Sequence, residues 1–190
     1  IFGKLLDSDG ATVKSAFVIT DTVNDDFAPR VAAVNGGFLV VFCTVSGWSP
    51  IYPDGGIMAI HVDSAGNVGT LKTIVLHADP ADLYPAIASE GSSANRAMVV
   101  WQRLINRLGA TPLDWDWDIC ARTVDNHGNT LAPAIPVTFL NNAETAPDIA
   151  YSGDFDTGFL LVWERRQSSS DHDIRSAWIA RQQSDEVWMR

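Results

Sequence analysis

The amino-acid sequence predicts an all-β fold built from repeated four-stranded antiparallel sheets. Two independent landmarks recur along the 190 residues with the same pair of spacings, 56 and 62 residues. Between the landmarks lie short runs rich in β-branched and aromatic residues, separated by Gly, Asn and Asp, as in strands and tight turns. No segment has the 3.6-residue period of an amphipathic helix. The chain is therefore a repeat, and the repeat defines the fold.

The first landmark is a proline that opens an apolar run and leads to a second run ending in an aromatic residue. The three copies read PRVAAVNGGFLVVF from Pro29, PAIASEGSSANRAMVVW from Pro85 and PDIAYSGDFDTGFLLVW from Pro147. The connections between the two runs, NGG, EGSSANR and SGDFDTG, have the length of hairpin loops. The landmark therefore predicts the first two strands of each unit, strands A and B.

The second landmark is an apolar run that closes on Asp-x-x-Gly. The three copies read IFGKLLDSDG up to Gly10, IMAIHVDSAG up to Gly66 and ICARTVDNHG up to Gly128. Asp and Gly at these positions favour a tight turn, so the run predicts strand C and the turn leads into strand D. We expect strand C to begin at Ile1, Ile57, Ile119 and Ile174, and strand D to cover 16–20, 73–76 and 135–138.

These landmarks divide the chain into a partial unit at 1–20, complete units at 27–76 and 84–138, and a partial unit at 146–190. The first unit supplies only strands C and D. The last unit lacks the Asp-x-x-Gly turn, and its tail SDEVWMR is a poor fourth strand. Because the sequence begins inside the pattern and without Met, we expect a mature segment or a piece of a longer polypeptide.

Strand B is apolar at almost every position, so both of its faces should be buried. Small four-stranded sheets packed face to face have this property, and they are the blades of a β-propeller. The pattern of a proline-initiated strand A, LVVW-like strand B, DI at strand C and VDxxGN resembles the blades of secreted bacterial β-propeller proteins. The resemblance covers nearly the whole chain and implies an extracellular or periplasmic protein. It indicates architecture and leaves the activity open, since propellers host many functions.

The number of blades is too small for a closed ring. Propellers have at least about four blades, whereas this chain carries about three, with half-blades at its ends. The chain is then either a fragment or a self-associating protomer, in which the A–B half of one chain pairs with the C–D half of another. Open strand edges invite such pairing, and we expect self-association, or an equivalent intact ring, over a lone open monomer.

Composition excludes several classes of function. A net charge of −10 and a pI near 4.6 argue against nucleic-acid binding and against an anionic membrane surface. No apolar run approaches the roughly 20 residues of a membrane helix. Cys43 and Cys120 each lie in an apolar run and are expected to be buried thiols. No phosphate-binding loop, dinucleotide fingerprint or nucleophile elbow is present, so no cofactor is predicted.

Candidate ligand contacts lie first on the long B–C connections, 44–56, 102–118 and 164–173. In a propeller these connections share the face around the central axis, where loops on a rigid scaffold carry binding residues. They present four aromatic residues suited to stacking on sugar rings: Trp48, Tyr52, Trp115 and Trp117. The alternative is that these aromatics cover blade edges or fill the gap between blades.

A second set of candidates lies at the inner ends of strands A and B, which vary from unit to unit. Three arginines there are candidate ligand contacts: Arg30, Arg103 and Arg165. Asp148 and Glu164 are expected to face each other across one hairpin, as the paired carboxylates of glycoside hydrolases do, at separations of about 5 Å or about 6.5–9.5 Å. The arginines are equally good salt-bridge partners for these two acids.

No metal site is predicted. The aspartates of DWDWD at 114–118 imitate a calcium loop, but its sixth position requires Gly and holds Ile119. The histidines His61 and His127, and the clusters at 77–82 and 171–173, lack zinc-ligand spacing. The leading functional hypothesis is a noncatalytic propeller module that binds carbohydrate or another extracellular ligand. The alternatives are a glycosidase-like propeller enzyme and a protein-interaction scaffold.

Overall fold

The computed structural model describes residues 1–46, 55–77, 81–91, 95–107, 115–139, 143–153, 158–168, 171–181 and 187–189. Within these residues every regular element is a strand. The strands form one two-stranded sheet and three four-stranded sheets, and all pairs are antiparallel neighbours in chain order. The predicted all-β fold of repeated four-stranded sheets is confirmed.

The strands follow one another in four groups. The half-sheet consists of β1 (Phe2–Leu6) and β2 (Thr12–Val18). The first full sheet consists of β3 (Asp25–Val34), β4 (Gly37–Val45), β5 (Gly55–Asp63) and β6 (Lys72–His77). The second full sheet consists of β7 (Asp82–Ser89), β8 (Ala97–Arg107), β9 (Trp115–Val124) and β10 (Ile135–Pro136). The third full sheet consists of β11 (Glu144–Tyr151), β12 (Phe159–Ser168), β13 (Asp171–Arg181) and β14 (Val187–Met189).

The Asp-x-x-Gly segments form the tight turns that the sequence predicts. Asp63 Oδ1 accepts hydrogen bonds from the backbone N–H groups of Ala65 at 2.9 Å and Asn67 at 2.8 Å. Gly66 lies in the left-handed region, with φ of 77°, which glycine enters without steric cost. The same aspartate geometry recurs at Asp7 and Asp125, so one turn closes strand C in three units.

The sheets stack face to face through three apolar clusters. Strand β4 shows why its sequence is apolar throughout. Leu39 and Val41 pack toward the second full sheet, whereas Val40 and Phe42 pack toward the half-sheet. The prediction that both faces of strand B are buried is therefore confirmed for the first full sheet. In β12 burial alternates along the strand, as for a sheet covered on one face.

Strand C begins earlier than the isoleucines suggest. Strand β5 starts at Gly55, β9 at Trp115 and β13 at Asp171. The reason is the length of the B–C ladder, which extends as far as the Arg107–Trp115 and Ser168–Asp171 pairs. Main-chain pairing continues past the point where the apolar pattern stops, and the expected starts of these strands are wrong by two to four residues.

The end of the chain also differs from expectation. The tail that was predicted to be a poor fourth strand forms β14, in which Val187–Met189 pairs with β13. An edge strand of three residues needs only main-chain hydrogen bonds from its neighbour and no Asp-x-x-Gly turn. Cys43 and Cys120 are both buried free thiols, as predicted. Among the described residues, no helix has the length and apolar character needed to cross a membrane.

Candidate functional site: an axial cleft at three β-bulges

Each landmark proline marks a β-bulge near the start of strand A. In β3, Phe27 pairs with Cys43 and Arg30 pairs with Val41, so Ala28 and Pro29 together lie opposite a single residue of β4. The ladders of the other two full sheets shift at the same place, between Leu83 and Ala86 and between Thr145 and Asp148. Proline has no N–H to donate to a ladder, and a bulge is one place in a sheet that tolerates it.

The residue before each of these prolines has a left-handed backbone. The φ angles are 50° at Ala28, 54° at Tyr84 and 51° at Ala146, and these are the non-glycine residues with positive φ in the described part of the chain. A non-glycine residue in this region costs about 1–3 kcal/mol, and such residues cluster at ligand clamps and active sites. The bulges therefore concentrate backbone strain at one level of the stacked sheets.

Each of the last two bulges is tied to the sheet before it by a hydrogen bond. The backbone N–H of Tyr84 donates to Cys43 Sγ at 3.0 Å, and the N–H of Ala146 donates to Gln102 Oε1 at 3.2 Å. Both acceptors lie at the inner end of a strand B. Burial raises the pKa of the Cys43 thiol to about 12, so this sulfur is a neutral acceptor at pH 7 and not a nucleophile.

A cleft of about 460 Å³ opens where the bulges converge. It is lined by Arg30 of the first full sheet, Tyr84 and Gln102 of the second, and residues 145–148 of the third. Three consecutive sheets thus contribute to one concave site, and the bulged backbone sets the direction of the lining side chains.

The cleft combines a cation, an anion, an aromatic ring and an amide. Arg30 and Asp148 are both exposed, and Arg30 Nη1 donates to the Pro29 carbonyl at 3.0 Å. Asp148 Oδ1 accepts from the N–H of Ile149 at 2.9 Å, which leaves its other oxygen for a ligand. The Tyr84 side chain is 43% exposed and packs edge-on against Phe27, with ring centroids 6.0 Å apart. A polar ligand with a flat apolar face would find complementary groups here.

Buried carboxyls lie just below the cleft, three residues before each proline of the second and third full sheets. Asp82 is fully buried and accepts hydrogen bonds from Trp101 Nε1 at 2.5 Å and Arg103 Nε at 2.7 Å. This carboxylate fixes the inner ends of strands A and B to each other. It stabilises the frame on which Tyr84 and Gln102 reach the cleft.

Glu144 occupies the equivalent position in the third full sheet and is also fully buried. The nearest guanidinium atom, Arg165 Nε, lies 3.5 Å from Glu144 Oε1. Burial, followed by the negative charge of Asp118, raises the pKa of the Glu144 carboxyl to about 7. Burial also raises the pKa of Asp116, again with a contribution from Asp118. An acidic cluster therefore lies between the second and third full sheets.

The aromatic candidates lie away from the cleft or outside the described residues. Trp115 and Trp117 were expected in a loop, and that placement is wrong, because the β8–β9 ladder continues through both residues. Their side chains are 4% and 7% exposed and belong to the apolar cluster between the first and second full sheets. The alternative interpretation, that they fill the gap between blades, matches this position. Trp48 and Tyr52 lie outside the described residues.

Of the three predicted arginines, the structure brings only Arg30 to the cleft lining. Arg103 and Arg165 are directed at the buried carboxyls Asp82 and Glu144 instead. Their alternative role as salt-bridge partners therefore describes the contacts they make in this structure.

The predicted pairing of Asp148 with Glu164 is wrong. Asp148 lies opposite Val162, and Glu164 lies opposite Thr145, because the bulge at Ala146 inserts extra residues between them. Glu164 Oε2 instead lies 3.6 Å from His172 Nδ1. Only Asp148 of the two acids lines the cleft.

Four residues of the site escaped the sequence analysis as contributors: Tyr84, Gln102, Asp82 and Glu144. Two signals in the sequence could have identified most of them. Tyr84 directly precedes a landmark proline, where a bulge places it on the axis. Asp82 and Glu144 lie three residues before successive landmark prolines, with the same 62-residue spacing.

The described residues contain no group of three or more His, Cys, Asp or Glu side chains that could hold a metal ion. His61 and His127 stack edge-on at 4.9 Å between centroids, and Asp125 accepts hydrogen bonds within its turn. Asp114, the first aspartate of DWDWD, lies outside the described residues.

Comparison with known proteins places the fold among β-propellers. No protein-family model and no curated protein matches the sequence. Among solved structures, the Trypanosoma rangeli sialidase in complex with sialic acid matches with a TM-score of 0.57 and 6% identity, over 99% of this chain and 32% of the sialidase chain. The same sialidase as its covalent intermediate with 2,3-difluorosialic acid matches with a TM-score of 0.60 and 6% identity, over 99% and 33%.

A second protein of this architecture also matches. The RGII complex of BT0996 has a TM-score of 0.51 and 11% identity, over 85% of this chain and 55% of that one. This chain thus spans about one third of the sialidase chains that it resembles. At these identities the likeness concerns the fold: stacked four-stranded antiparallel sheets like those in part of a glycoside-hydrolase propeller.

Proposed function

We propose that this chain is a noncatalytic β-propeller binding module and that its axial cleft binds a carbohydrate. The observation that carries the proposal is the convergence of Arg30, Tyr84, Gln102 and Asp148 in one cleft of about 460 Å³. The bulges that form the cleft recur in three successive sheets, and their strained backbone is typical of ligand clamps.

The chemistry of the cleft supports a sugar over other small ligands. A sugar ring presents hydroxyl groups that both donate and accept hydrogen bonds, together with a C–H face that packs on aromatic rings. Arg30 supplies donors, Asp148 supplies acceptors, and Gln102 supplies the amide of a residue that is 6% exposed. Tyr84 supplies a half-exposed ring. A purely apolar ligand would leave the two charged groups without partners, which costs binding free energy.

The test is calorimetric titration of the chain with a panel of neutral and acidic oligosaccharides. We expect saturable binding of at least one member. The Arg30→Met and Asp148→Asn variants should each weaken that binding by about tenfold or more, the effect of losing a charged hydrogen-bond partner. The matched control is Asp9→Asn, since Asp9 is an exposed turn residue of the half-sheet. Binding unchanged by both cleft variants, or no binding across the panel, would contradict the proposal.

A second candidate is a glycosidase-like enzyme, favoured by the likeness to part of a sialidase propeller and by the exposed carboxylate of Asp148 in the cleft. Glycoside hydrolysis in most families needs two carboxyl groups flanking the scissile bond, and Asp148 would need a second acid from outside the cleft lining. Release of a chromophore from aryl glycosides, abolished in Asp148→Asn, would favour this candidate. Sugar binding without turnover would favour the binding module.

A further inference from the structure

The half-sheet has an open edge where the other sheets have two more strands. In each full sheet the third strand is paired on both sides, as β5 is paired with β4 and β6. Strand β1 is the counterpart of β5 in its unit, but in the described residues it pairs only with β2. One edge of β1 therefore presents unpaired main-chain donors and acceptors.

An apolar groove runs along this open edge. It has a volume of about 470 Å³ and lies between the half-sheet and the first full sheet, lined by residues of β1, β3 and β4. Apolar side chains in and beside it are unusually exposed, with Phe2 at 75%, Leu6 at 53% and Val31 at 60%. Contiguous exposed apolar surface next to an open strand edge is typical of a binding surface and not of a finished sheet.

The other sheet interfaces show what occupies the corresponding place. There, the A–B hairpin of the preceding sheet covers the bulge of the next sheet, and its strand B supplies a side-chain acceptor to the bulge N–H: Cys43 for Tyr84 and Gln102 for Ala146. Ala28 has the same bulge, with φ of 50°, and borders the groove through Pro29. Within the described part of the chain, no side chain accepts the Ala28 N–H.

We propose that the half-sheet and its groove form a docking site for a peptide β-hairpin with the A–B pattern of this repeat. The hairpin would add its second strand to the open edge of β1 and lay its apolar face in the groove. A side-chain acceptor at the end of that strand would receive the Ala28 N–H. Main-chain pairing gives such strand addition its affinity, and the alternating side chains give it specificity.

A second copy of this protein is the weaker occupant. Its own B strands are already paired on both sides, as β4 is by β3 and β5 and as β12 is by β11 and β13. A second copy would have to break one of these ladders to fill the groove, whereas a separate hairpin has no ladder to break. The occupant is therefore a hairpin from outside the described sheets.

The probe is a synthetic peptide with the sequence of residues 143–166, an A–B segment of this repeat. It is acidic and carries Glu164 at the acceptor position. We expect saturable binding by fluorescence anisotropy, with a Kd of about 1–100 μM. Bound peptide should slow amide hydrogen exchange in residues 2–6 by at least about tenfold, because edge amides become paired. A scrambled peptide of the same composition is the first control.

Two valines give a matched pair of protein variants. Val31 lines the groove and is 60% exposed, whereas Val13 lies on β2 outside the groove lining and is 62% exposed. Val31→Asp should weaken peptide binding by about tenfold or more, because docking would bury an unpaired charge. Val13→Asp should leave binding unchanged. Both side chains are exposed, so both variants should keep the melting temperature of the parent protein.

Several results would overturn the inference. These are the absence of saturable binding, equal binding of the scrambled peptide, equal binding to the Val31→Asp and Val13→Asp variants, or binding without protection of residues 2–6. Light scattering that shows a dimer of the parent protein and a monomer of Val31→Asp would identify a second copy as the occupant and would also overturn it.

Discussion

Two equivalent positions, Asp82 and Glu144, show how one backbone frame can carry different chemistry. Both carboxyls are fully buried at the start of strand A. Asp82 is held by Trp101 Nε1 and Arg103 Nε at hydrogen-bond distance. Around Glu144, the equivalent tryptophan, Trp163, has an Nε1 without a hydrogen-bond partner in the described residues, and both Glu144 oxygens also lack one.

The difference comes from the neighbouring sheet and from one methylene group. Glu144 faces Asp118, on strand C of the preceding sheet, and that charge helps to raise its pKa to about 7. The residue at the position of Asp118 in the first full sheet is Gly56, which brings no charge near Asp82. A side chain at Gly56 would meet the Val75 carbonyl at 2.6 Å, so no carboxylate fits there. The repeat thus fixes where a carboxyl is buried, and the neighbouring sheet decides whether it is satisfied.

The largest expected effect is that of removing Asp82. Asp82→Ala would leave the buried Arg103 guanidinium and the Trp101 N–H without their acceptor. We expect a loss of about 3–5 kcal/mol in the free energy of unfolding, as for breaking one half of a buried ion pair. Urea denaturation measures it, with Glu144→Ala as the matched control, which should lose clearly less. Equal losses in the two variants would show that the two sites do not differ.

The second prediction concerns pH. The ordinary pKa of the Glu144 carboxyl is 4.5, and in the folded chain it is about 7, so the folded state holds the proton more tightly than the unfolded state. The stability from this group is therefore fully present below pH 4.5 and is lost as the pH rises through 7. The loss is on the order of 2–3 kcal/mol. Urea titrations at about pH 4.5, 6 and 8, which bracket the two pKa values, measure it.

The control for this pH dependence is Glu144→Gln, which keeps the shape of the side chain and removes the titration. Its free energy of unfolding should exceed that of the parent protein at about pH 8 and should lack the loss between the unfolded and folded pKa values. A parent and a variant with parallel pH profiles would mean that Glu144 titrates near its ordinary pKa.

A smaller effect separates the two tryptophans. Trp101→Phe removes a hydrogen bond to a buried carboxylate and should cost about 1.5–3 kcal/mol in the free energy of unfolding. Trp163→Phe removes an N–H that has no partner in the described residues and should cost less than Trp101→Phe by about that amount. Thermal or urea unfolding of both variants gives the comparison, and a larger cost for Trp163→Phe would reverse the ranking of the two sites.

The sequence predicted the repeated architecture because it depends on local patterns. Prolines, Asp-x-x-Gly turns and apolar strands each act within a few residues, and their spacing revealed the stacked sheets. The sequence did not predict the pairing of Asp148, because a bulge shifts the register by an amount that the apolar pattern does not record. Trp115 and Trp117 were placed in a loop for a related reason, since main-chain pairing in β8–β9 continues beyond the apolar run.

The site itself was predicted in part. The positions after the landmark prolines led to Arg30 and Asp148, which both line the cleft, because their place on strand A follows from the repeat. The buried partners Asp82 and Glu144 depend on contacts between sheets, and these contacts join residues far apart in sequence. Only the stacked structure shows which arginine neutralises which acid.

The most direct test of the account is amide NMR of the protein titrated with the oligosaccharide that binds it best. The account predicts shift changes centred on the cleft, at Arg30, Tyr84, Gln102 and residues 145–148, with little change at the half-sheet turn around Asp9. Shift changes centred on the long B–C connections, with none at the three bulges, would contradict the axial cleft as the binding site.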